Sequence, residues 1–93
     1  MENSMTYRKF TIYDEPNIVL RGYIEGKCLH LESTVYGEEF DSEKHYSFSE
    51  EDTDKLFLLM PLEQFTDFCR KSRLSGLEKF LTDNNIHPKT FTI

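Results

Sequence analysis

The sequence predicts an α+β domain: a small antiparallel sheet of four to five strands, three C-terminal helices packed on one of its faces, and a C-terminal strand. Three observations lead there. Apolar and polar residues alternate in short runs over the first half of the chain, apolar residues recur at helical spacing over the second half, and alternation returns at the end. The 93 residues, 38% of them hydrophobic, suffice for one core across 1–93 but not for a second core or a large enclosed substrate cavity.

Residues 1–5 precede the first patterned run and are expected to be disordered. Tyr7 to Tyr13 reads as a strand with Phe10 and Ile12 on one face and Tyr7, Thr11 and Tyr13 on the other, closed by the turn residues Asp14-Glu15-Pro16-Asn17. A second strand over 17–25 sets Ile18, Leu20 and Ile24 against Val19, Arg21 and Tyr23, and Glu25-Gly26-Lys27 reverses the chain. The third, over 27–36, turns Leu29, Leu31 and Val35 inward and Cys28, His30, Glu32, Thr34 and Tyr36 outward. After a polar connection over 37–44 anchored only by Phe40, the short run 45–48 adds a fourth strand.

Ser49 followed by Glu50, Glu51 and Asp52 predicts a capped helix start, with Leu56, Leu59 and Met60 as its apolar side. Pro61 opens a second helix running to Ser72, whose stripe is Leu62, Phe65, Phe68 and Cys69. Ser75 caps a third helix from Gly76 to about Asn84, with Leu74, Leu77, Phe80 and Leu81 inward and Asn84-Asn85 as the stop. The matching stripes of the last two helices are what any pair of core-facing helices shows, and Glu78 and Asp83 beside Lys79 would repel phosphates, so a nucleic-acid reader is not indicated. Phe91 and Ile93 then share one face of a terminal strand.

No apolar run is long enough to span a membrane, and the first residues lack the pattern of a secretory leader. Cys28 and Cys69 form no paired motif, so free thiols and a cytoplasmic location are expected. Phosphate-cradling loops, nucleophile elbows and zinc-protease motifs are absent from the sequence. Cys28, His30 and His45 do not form a convergent four-ligand set, and the acidic residues lack the spacing of an EF-hand loop; no metal, cofactor or catalytic residue is therefore assigned. Acid–base chemistry by His30 or His45 with Glu32 is the least favoured reading.

The charge pattern is what sets the chain apart from a generic domain. The net charge is -6, yet residues 38–54 hold eight acidic residues against the single base Lys44, so all of the net negative charge lies in this segment. Carboxylates at this density attract basic partners, and interleaved aromatics supply anchors. The partner-binding residues expected are Glu38, Glu39, Phe40, Asp41, Glu43, Tyr46, Glu50, Glu51, Asp52 and Asp54. In size and charge the chain is similar to the acidic immunity proteins and antitoxins that neutralise nuclease toxins, which implies a basic protein partner, with carboxylates standing where phosphates would bind. The second reading is a homodimeric regulatory or adaptor domain using an exposed sheet face that carries Tyr7, Tyr13, Tyr23, His30 and Tyr36.

Overall fold

The computed structural model describes residues 9–93, so the expected disorder of residues 1–5 and the placement of Tyr7 lie outside the described residues. Five antiparallel strands, β1 (Lys9–Glu15), β2 (Ile18–Glu25), β3 (Cys28–Val35), β4 (Ser42–Ser47) and β5 (Lys89–Thr92), form one sheet in the order β1-β2-β3-β4-β5. Two helices, α1 (Glu50–Leu59) and α2 (Leu62–Asp83), lie between β4 and β5 in the chain. The turn residues behave as their chemistry dictates. Gly26 takes φ 62 at the first position of the two-residue link between Glu25 and Cys28, a value that a residue with a Cβ resists.

One face of the sheet is covered. Leu20, Leu29, Leu31 and Tyr46 from its strands meet Leu56 of α1 and Phe65, Cys69, Leu77 and Leu81 of α2 in one buried cluster. Each leucine or phenylalanine among them contributes about 1.5–3 kcal/mol when fully buried. Helix α1 is anchored by polar groups as well as by Leu56: Ser49 Oγ accepts from the Asp52 amide (3.1 Å), and buried Thr53 Oγ1 accepts from the Leu29 amide (3.0 Å). At its far end α2 closes in a Schellman arrangement. Asn85 takes φ 58, its amide donates to the Thr82 carbonyl, and the amide of buried Ile86 donates to the Leu81 carbonyl.

The structure corrects the prediction in five places. There are two helices, not three: residues 62–83 form a single element, bent where Arg73 adopts φ 63 and ψ -171. The cause is tertiary. Arg70 Nε donates to the Ile12 carbonyl (2.7 Å) and Arg73 Nη2 donates to Glu15, so α2 bends to follow β1 with no new cap at Ser75. Pro61 precedes α2 as its N-cap residue; its carbonyl accepts from the Phe65 amide. The fourth strand begins at Ser42 rather than His45, and Leu59 is exposed.

Tyr13 is the fifth correction. Between β1 and β2, Thr11 pairs with Arg21 and Tyr13 with Leu20, which leaves Ile12 as an extra residue. This bulge resets the alternation, so Ile12 and Tyr13, adjacent in sequence, are both buried. Tyr13 therefore belongs to the core, not to an exposed tyrosine face.

Candidate partner-binding surface

The strand register decides where the acidic residues go. Glu15 pairs with Ile18, Ile18 with Val35, and Val35 with Ser42, so the β1–β2 turn and the 36–41 connection lie at the same end of the sheet. Glu38, Glu39 and Asp41 are exposed there. Asp14 and Glu43 lie one residue in from the ends of β1 and β4 here, and the Ile93 amide donates to the Glu43 carbonyl (2.9 Å), which brings the end of β5 to the same rim. Four interstrand spacings make this rim about 19 Å wide.

Exposed apolar side chains stand among the carboxylates. Phe40 is 78% exposed and Ile93 72%, while Val35 and Tyr36 are each more than two-fifths exposed. The backbone holds Phe40 out. The Tyr36 amide donates to the Asn17 carbonyl (2.9 Å), tying the start of the connection to the neighbouring turn. Gly37 lies so close to the Phe40 carbonyl that a Cβ would sit 2.4 Å from that oxygen, so the loop closes tightly only with glycine there.

The carboxylates of this rim are left largely uncompensated. Lys44, the one base of segment 38–54, points to the covered face and donates to Glu78 Oε2 of α2 (3.0 Å). Tyr46 donates to the same oxygen (2.8 Å). These two bonds, Lys44 first, hold the Glu78 carboxyl below its ordinary value. No described residue forms an ion pair with Glu38, Glu39 or Asp41. Glu43 does have a partner, its Oε1 lying 3.1 Å from His45 Nε2.

Of the residues expected to bind, the structure thus brings Glu38, Glu39, Phe40, Asp41 and Glu43 together. Tyr46 is not an anchor, because it is 2% exposed and part of the core. Burial and its bond to Glu78 raise the Tyr46 phenol well above its ordinary value. Glu50, Glu51, Asp52 and Asp54 lie beyond the other end of β4, whose six residues span about 17–20 Å. Glu50, Glu51 and Asp52 occupy the first turn of α1, where the helix dipole accounts for them, and Glu50 also approaches Lys27 at 4.0 Å. One acidic segment in sequence is therefore two clusters in space.

Asp14, Val35, Tyr36 and Ile93 were missed as rim residues by sequence reasoning. Their signal was the meander itself, since sequential antiparallel strands place alternate turns at one end of a sheet.

The open face of the sheet holds the histidines. His30 stacks on Tyr23 with ring centroids 4.8 Å apart, its Nδ1 lies 3.2 Å from Ser47 Oγ, and its Nε2 lies 3.7 Å from Glu25. His45 stacks on Phe91 (4.8 Å), between Glu43 on one ring nitrogen and Glu32 on the other. The carboxylates meet opposite edges of the His45 ring and do not converge on one point. Among the described residues no three His, Cys, Asp or Glu side chains are grouped to hold a metal ion. Tyr23 is the one tyrosine of the described strands on this face.

No protein-family model matches the chain, and comparison with curated proteins and with solved structures yields no match. Among the described residues no helix is long and apolar enough to cross a membrane.

Proposed function

We propose that this chain is a binding protein that engages a basic protein partner through the rim formed by Tyr36, Glu38, Glu39, Phe40, Asp41 and Glu43. The observation that carries the reading is Phe40, held out at 78% exposure between carboxylates that no described base neutralises. An apolar anchor inside a ring of charge is the anatomy of an interaction hot spot: the ring steers the partner's approach and Phe40 slows its departure. A partner whose cleft binds phosphates offers the matching Arg and Lys residues, and occupying that cleft would neutralise it without chemistry. This is the mode of action expected of an immunity protein or antitoxin working in the cytoplasm, and the free thiols of Cys28 and Cys69 are compatible with that compartment.

The test is quantitative capture from host lysate with the tagged chain, elution by a salt gradient, and parallel capture with Phe40→Ala and with Glu38→Lys/Glu39→Lys/Asp41→Lys. A basic protein eluting as salt rises, retained by the native chain and lost from both variants, supports the reading. The same proteins recovered equally by all three baits would overturn it.

A further inference from the structure

The two edges of the sheet are built differently. At β1 the bulge at Ile12 breaks the ladder, Arg70 occupies the Ile12 carbonyl, and Lys9 carries charge near its start, three features that discourage another strand from pairing. Edge strand β5 also opens on a charge, at Lys89, but it has no bulge and, among the described residues, no side chain donating to its carbonyls: its four residues are exposed, it pairs with β4 without a register shift, and it contains no proline. Among the described residues no strand lies outside it.

The hydrogen-bonding direction along β5 follows from one bond. The Ile93 amide donates inward to Glu43, so with antiparallel alternation the polar groups of Lys89, Phe91 and Ile93 point to β4 and those of Thr90 and Thr92 point outward. A second β5 related by a two-fold axis normal to the sheet keeps each side chain on its own face only when the axis passes through a residue. Centred on Phe91, Thr90 of each copy meets Thr92 of the other, and both pairs have outward amides and carbonyls, giving four backbone bonds. Phe91 then faces Phe91 in a non-hydrogen-bonded pair, where side chains approach most closely, and Lys89 opposes Ile93 rather than another cation. Threonine and aromatic cross-strand pairs are among the favourable ones. Centred on Thr90, the same strand would set Pro88, which has no amide proton, opposite Thr92.

We propose that β5 is a self-pairing edge: two copies of this chain join there, antiparallel and centred on Phe91, into a continuous ten-stranded sheet. The surface shares Ile93 with the rim but none of the residues proposed to bind the basic partner, so the two readings are tested separately. Few residues meet, so the dimer is weak. Sedimentation equilibrium of the full chain at concentrations up to about 1 mM is expected to show a reversible monomer–dimer equilibrium. Thr92→Pro removes an outward amide and no bond to β4, and is expected to abolish dimerisation with the far-ultraviolet circular dichroism unchanged. Should Thr92→Pro disturb the fold, Phe91→Cys decides: in a non-hydrogen-bonded pair its Cα atoms lie within disulfide reach, so mild oxidation should yield a covalent dimer that Thr90→Cys does not form. A chain that stays monomeric throughout, a dimer insensitive to a folded Thr92→Pro, or cross-linking no better at Phe91→Cys than at Thr90→Cys would each overturn the proposal.

Discussion

The Arg73 guanidinium carbon lies 4.0 Å from the centroid of the Tyr13 ring, while Arg73 Nη2 donates to Glu15 and Nη1 lies 3.4 Å from the Arg70 carbonyl. One side chain thus joins the bend of α2 to the end of β1. Its backbone, at φ 63 and ψ -171, occupies a region that almost only glycine visits. Arg73→Ala loses the contacts and keeps the strain; Arg73→Gly loses the contacts and relieves it. Urea unfolding should rank the native chain first, Arg73→Gly second and Arg73→Ala third.

Beneath that guanidinium, the buried Tyr13 hydroxyl has no hydrogen-bond partner among the described residues. Burial raises its ionisation above the ordinary value, more than Arg73 lowers it. Tyr13→Phe keeps the ring and removes the unsatisfied group. It should raise the unfolding free energy by about 1 kcal/mol in the same urea titration.

Thr53 works in the opposite sense, because its hydroxyl accepts from the Leu29 amide inside the core. Thr53→Val preserves shape and strands that amide. A loss of about 1–3 kcal/mol is expected, with faster hydrogen exchange of the Leu29 amide as its local signature.

Cys69 weakens the fold at alkaline pH, as buried Tyr13 and Tyr46 also do. Burial on α2 pushes its thiol up to about 12 from an ordinary 9.0, so the folded protein keeps it neutral while the unfolded chain ionises it. Its contribution is fully present below pH 9.0, declines as pH rises, and is gone above about 12. Cys69→Ala should flatten that alkaline loss. In the native chain at pH 8, mass-resolved alkylation should mark half-buried Cys28 well before Cys69.

Glu78 contributes on the acid side. Its carboxyl is held low by Lys44 and then by Tyr46, so its contribution is present above the ordinary value of 4.5 and is lost as pH falls through the lower folded value. The stability gap between the native chain and Glu78→Gln should therefore be visible at pH 7 and close below pH 4.5.

Much of this was legible in the residues. Strands β2 and β3, the Ser49 cap and the Asn84-Asn85 stop follow from local patterns that tertiary packing left in place. The bulge at Ile12 was not, because it needs a single extra residue in a run whose chemistry alternates either way. The bend at Arg73 was misread as a break between two helices, since bonds to β1, fifty-eight residues away, replace the cap at Ser75. For the surface, the composition of segment 38–54 singled out Phe40 and its acidic neighbours. It could not separate them from Glu50–Asp54, because a six-residue strand turns neighbours in sequence into opposite ends of a sheet.

The strand order also prescribes an order of assembly. Strands β1 to β4 join through short connections, whereas β5 meets β4 only after the chain has closed a loop through both helices, a larger entropic cost for a four-residue strand. The meander can nucleate without β5, and β5 docks late and leaves early. Native-state opening should therefore begin at the C-terminal strand, unzipping Phe91 from His45 and baring the edge of β4 while the rest of the domain stays closed.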